Sequence, residues 1–166
     1  DVAWINPFRE GAGAMVRALE TLERLSRLPA RRALSGHGPP IEDPRAAFDA
    51  ARRRYERWLR EPEKACWHAC KRIFAYALMI YGGLGRDEVR PYLLRCPWFH
   101  DFAKNGLGLR PEEFVGPLLD EMLRSGAAGW REGRLVALAP HNPPPEGWLT
   151  GPARPRDWPE PGRRGA

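Results

Sequence analysis

Apolar residues recur at three- and four-residue steps between Ala14 and Leu28. Met15, Ala18, Leu19, Leu22 and Leu25 form one stripe, while Glu20 and Glu23 alternate with Arg17, Arg24 and Arg27 on the other side. This period predicts an amphipathic helix, and Pro29 ends it. Upstream, Asp1 to Gly13 reads as a strand end and a loop with Trp4, Ile5, Pro7 and Phe8 as apolar anchors. Downstream, Arg32-Ala-Leu34 suits a short strand, and Ser35-Gly-His-Gly-Pro-Pro-Ile41 is a tight loop that excludes helix. Asp43 is a natural N-cap, and Pro44 takes the favoured first helical position. The helix that follows is predicted to run to about Leu59, burying Ala47, Ala50, Ala51, Tyr55 and Trp58.

Glu61-Pro62 marks a boundary. Beyond it the pattern predicts a long apolar helix from about Glu63 to Tyr81, stopped by Gly82-Gly83. A shorter helix begins near Asp87 and is interrupted by Pro91; Cys96-Pro-Trp-Phe-His100 packs inward; Asn105-Gly-Leu-Gly108 is a loop. Pro111 opens a helix carrying Phe114, Val115, Leu118, Leu119, Met122 and Leu123, with Pro117 able to bend it and Gly126 ending it. Gly129 to Leu138 reads as two short strands around Glu132-Gly133. Helices followed by one hairpin fit a winged-helix-like domain. After Ala139 prolines crowd the chain, which suits an extended or disordered tail. The expected organisation is therefore 1–60, 61–139 and a Pro-rich tail at 140–166.

Composition narrows the class. The 166 residues are 43% hydrophobic, which suits a globular protein. No apolar run approaches the roughly 18 residues of a membrane span, so no membrane partner is expected. Three cysteines, Cys66, Cys70 and Cys96, make a disulfide framework a poor fit and point to a reducing, cytoplasmic setting. Cys66 and Cys70 share a helix face, where packing suits them better than metal binding, because a structural zinc site needs four ligands. The net charge of +6 is nearly all arginine and fits a solubilising surface, with attraction to nucleic acid as the sharper reading. The run Arg52-Arg53-Arg54 fits a solvated face better than a phosphate site.

The sharpest chemical feature is Gly36-His37-Gly38-Pro39-Pro40. Flanking glycines remove bulk around the imidazole and permit backbone angles closed to other residues. The two prolines stiffen the exit, so holding the ring in place costs less entropy. A metal ligand on a loop needs both properties.

The order of strand-end aspartate, Trp-containing loop, amphipathic helix, short strand, Gly-His-Gly-Pro-Pro loop and charged helix resembles the second half of the metallo-β-lactamase superfamily. The resemblance covers roughly residues 1–60. It implies an α/β fragment of an αββα metallo-β-lactamase fold, followed by a mostly helical winged-helix-like domain similar to that attached to one branch of the family. It also implies that Asp1 is the bridging metal ligand and His37 the last histidine ligand. The implied cofactor is zinc, two ions in the full-length protein, with iron or manganese as alternatives. The metal would activate water to attack an ester, thioester, lactone or phosphodiester in a small-molecule substrate. The family's "HxHxDH" motif is missing: the only histidines are His37, His68, His100 and His141. The other ligands are expected in an N-terminal half upstream of Asp1, which would be this chain's partner within one fold, and the chain by itself is expected to be inactive. His68 and His100 read as packing or hydrogen-bonding residues. Trp98, Phe99 and Phe102 could form an apolar substrate surface, though core packing suits them better.

The competing reading is a winged-helix module for nucleic-acid binding or dimerisation, a homodimer being its simplest assembly. Against nucleic acid, the expected recognition helix carries Glu112, Glu113, Asp120 and Glu121 and only Arg124 in return, the wrong sign for a groove.

Overall fold

In the computed structural model the described residues are Glu10, 13–34 and 39–143. They are mostly helical with one small antiparallel sheet. The chain divides into two compact units, residues 1–66 and 67–166, and the division falls inside a helix.

In the first unit, α1 (Gly13–Ser26) and α2 (Pro44–Arg60) follow the predicted periodicity, except that Ala50, expected on the buried side, is exposed because it lies off the stripe of Ala51, Tyr55 and Trp58. Met15 and Leu22 of α1 and Ala51, Tyr55 and Trp58 of α2 form a buried cluster with Ala65, and Ala18, Leu19 and Phe48 pack against it. Tyr55 meets Trp58 edge to face, with centroids 5.4 Å apart. Burying a large apolar side chain such as Leu22 contributes about 1.5–3 kcal/mol. The N-cap acts as expected: Ala46 N–H donates to Asp43 Oδ1 at 2.9 Å. Glu61 closes α2, its N–H donating to Arg57 O at 2.8 Å.

Helix α3 (Pro62–Tyr81) begins in the first unit and continues into the second. Its C-terminus is a Schellman motif. Gly83 N–H donates to Leu78 O at 2.8 Å and Gly82 N–H to Met79 O at 3.4 Å, with Gly82 at φ 62° and Gly83 at φ 91°. The second unit continues through β1 (Leu84–Gly85), α4 (Val89–Arg95), α5 (Pro97–Asp101), a π-helical turn at Phe102–Gly106, α6 (Pro111–Arg124), β2 (Ala128–Arg131) and β3 (Arg134–Ala137). The sheet order is β1-β3-β2, antiparallel throughout, with Leu84 opposite Leu135 and Trp130 opposite the same Leu135 from the other side.

Three local expectations change. Pro91 does not interrupt its helix, because it is the third residue of α4, where an N–H has no partner within the helix. Asn105 and Gly106 are not a loop but the end of the π-helical turn. The two-residue strand β1 is too short to show a period, and it is the element the hydrophobic pattern does not predict.

The core of this unit is aromatic and aliphatic. Phe74, Leu78, Leu93, Phe99, Phe114 and Leu118 are fully buried. Phe99 stacks on Phe114 at 5.1 Å, and Trp67 meets Phe114 edge-on at 5.2 Å. Around the sheet, polar contacts fix the turns. Gly85 N–H donates to Glu88 Oε2 at 2.6 Å while Glu88 N–H returns to Gly85 O at 3.0 Å. Arg134 donates to Gly83 O at 2.6 Å, and the Arg86 guanidinium lies 4.4 Å from the Trp130 ring centroid. Lys71 of α3 pairs with Glu121 of α6 at 2.6 Å, both largely buried. Lys71, assisted by Arg124, holds the Glu121 carboxyl below the usual carboxylate range, against the opposing effect of burial.

Two substitutions test this backbone. A Cβ at Gly83 would stand 2.8 Å from Leu135 O and 2.8 Å from Val136 Cγ1, at a φ that side chains avoid. Gly83→Ala is expected to destabilise by about 2–4 kcal/mol, read from urea unfolding. In the hairpin turn, Glu132 and Gly133 both have positive φ, 48° and 78°, as a type I′ turn requires. Glu132→Asn is expected to stabilise by about 0.5–1 kcal/mol, seen as a raised melting temperature.

Candidate functional site

The segment carrying the Gly-His-Gly motif is bracketed by an isolated antiparallel bridge. Ala33 N–H donates to Ile41 O at 3.0 Å, and Ile41 N–H returns to Ala33 O at 2.8 Å. Immediately outside that pair, Arg32 Nε donates to Glu42 Oε2 at 2.8 Å. Both side chains are exposed, so this ion pair adds about 0–1 kcal/mol. One residue further on, Asp43 caps α2. The bridge thus lies two residues before the Asp43 cap at the start of α2. The prolines that close the motif, Pro39 and Pro40, lie on the return limb.

His37 and Asp1, the two expected metal ligands, lie outside the described residues. What the structure supplies is the base from which the His37 segment departs. Among the described residues there is no group of three or more His, Cys, Asp or Glu that could hold a metal ion. The described residues therefore supply no metal centre of their own.

The remaining histidines are placed individually. His100 Nε2 lies 2.8 Å from Leu94 O, a carbonyl near the end of α4, so it helps satisfy a helix C-terminus. His141 Nδ1 lies 2.9 Å from Ala139 O on the surface. His68 is half-buried on α3. None stands in a cluster with other metal-binding side chains.

The three cysteines form no disulfide, and all are buried. Burial, with a smaller effect from Glu63, pushes the Cys66 thiol up to about 12. Burial likewise pushes Cys96 up to about 11, in spite of the lowering effects of Tyr92, Trp98 and Arg95, and its Sγ donates to Tyr92 O at 3.3 Å. The raised values favour the protonated thiol at Cys66 and Cys96 across the physiological range.

Phe99 and Phe102 are buried, 0% and 2% exposed. Trp98 is half-buried and packs edge-on against both, at 5.8 and 6.2 Å. These rings pack with one another and, through Phe99, with Phe114 of α6. The acidic character expected of α6 is present on its surface: Glu112, Glu113 and Asp120 are exposed. The Arg110 guanidinium just before the helix is spent on Glu113, donating at 2.9 and 2.5 Å.

A groove of about 660 Å³ runs between the end of α1 and the start of α2, lined by Ser26, Arg27, Pro29, Pro44, Arg45 and Phe48 among others. Among the described residues its lining offers guanidinium groups and the Ser26 hydroxyl, with no carboxylate, thiol or imidazole to serve as a general base. No described helix is long and apolar enough to cross a membrane.

No family model matches the chain, and neither a curated protein nor a solved structure matches it.

The thiol environments predict a measurement. In the folded chain at pH 8, Cys66 and Cys96 are expected to react with a disulfide reagent at least about 100-fold more slowly than a free thiol, whose pKa is about 8.5. In denaturant all three cysteines should react rapidly.

Proposed function

We propose that this chain is the C-terminal part of a metal-dependent hydrolase of the metallo-β-lactamase superfamily, followed by a winged-helix-like domain. The observation that carries the reading is the Ala33–Ile41 bridge. It joins the two ends of the segment bearing Gly36-His37-Gly38 and sets them against the Asp43-capped start of α2. A ligand-bearing loop needs that support, because a metal ligand must be held within a fraction of an ångström of its working position. The element order of the second unit supports the remainder. Helix, strand, helices, then two strands in the order β1-β3-β2 is the arrangement expected of a winged-helix-like domain, with the Glu132-Gly133 hairpin as its wing.

On this reading His37, as a neutral imidazole, and Asp1, as a carboxylate, are two of the residues that hold zinc, and both are ordinary zinc donors. The metal supplies Lewis acidity, which brings the pKa of water toward neutrality. This chain contributes the ligand loop, the helix that supports it and the appended helical domain. Its own two ligands fall short of the three that a catalytic zinc requires, so the remaining donors come from upstream sequence. The substrate would be a small molecule with an ester, thioester, lactone or phosphodiester bond. The nucleic-acid reading through α6 is disfavoured, since that helix presents carboxylates where phosphates would have to approach.

The test is a chain extended upstream to include an "HxHxDH" segment. It is expected to hold about two zinc ions by elemental analysis, and His37→Ala should remove about one of them and lower kcat/KM more than about 100-fold. The 166-residue chain alone should show no metal-dependent turnover. Full zinc content and activity in the His37→Ala protein would exclude the assignment.

A further inference from the structure

We draw no further inference here: the strongest candidate, the groove between the end of α1 and the start of α2 lined by Arg27, Arg45 and Phe48, has its Arg27 paired with Glu23, and nothing in the structure shows what covers it.

Discussion

Two backbone hydrogen bonds, exchanged between Ala33 and Ile41, determine what the first unit can present. Drawing together the ends of a short segment costs chain entropy, and each exchanged bond contributes only about 0.5–1.5 kcal/mol net. The pair therefore cannot stand by itself. It persists because the segments on either side lead into α1 and α2, and those helices are tied to each other by Leu22, Tyr55 and Trp58. Sequence period sets the buried stripe, the stripe sets the helix pairing, and the helix pairing supports the Ala33–Ile41 bridge. Loss of the helix packing would open the bridge before any loop residue was altered.

The second unit rests on a comparable economy. Its first strand has only two residues, too few to hold a sheet by ladder bonds. It is secured instead by its flanks. The Schellman motif turns the chain out of α3 directly under β3, and Gly83 lets the backbones approach closely because it lacks a Cβ. Arg134 then bonds back to the Gly83 carbonyl, and Arg86 covers Trp130. The hairpin is thus fixed to the end of α3 by backbone contact and by two guanidinium groups, a supply the arginine-rich composition provides.

The sequence was most informative where period and punctuation agree. Both amphipathic helices, the Asp43–Pro44 start, the glycine stop after Tyr81 and the hairpin around Glu132-Gly133 follow from residue types alone, because each depends on interactions within a few positions. It was least informative where a neighbour decides. Strand β1 exists because β3 lies beside it. The π-helical turn ends a run whose Phe102 and Ala103 are buried, a packing demand that local propensity at Asn105-Gly106 does not express. Pro91 reads as a breaker until the helix start is known to fall at Val89. The candidate site was legible only as a motif. The Gly-His-Gly-Pro-Pro run announces a bare, stiffened turn, and the structure adds the bridge that joins its ends. The positions of His37 and Asp1 themselves lie outside the described residues.

Charge, finally, is distributed by element and not evenly along the chain. Helix α6 exposes carboxylates and sends its half-buried acid, Glu121, to Lys71, so its electrostatics are largely settled within the second unit. Helix α2 does the reverse, burying aromatic rings on one side and leaving Arg53, Arg57 and Arg60 in solvent on the other. Solubility alone would be served by either sign and by mixed pairs at four-residue steps, which relieve repulsion within a helix. Along α2, Asp49 stands four residues before Arg53 and Glu56 four before Arg60, so the exposed guanidinium groups are set among carboxylates at the spacing that stabilises a helix.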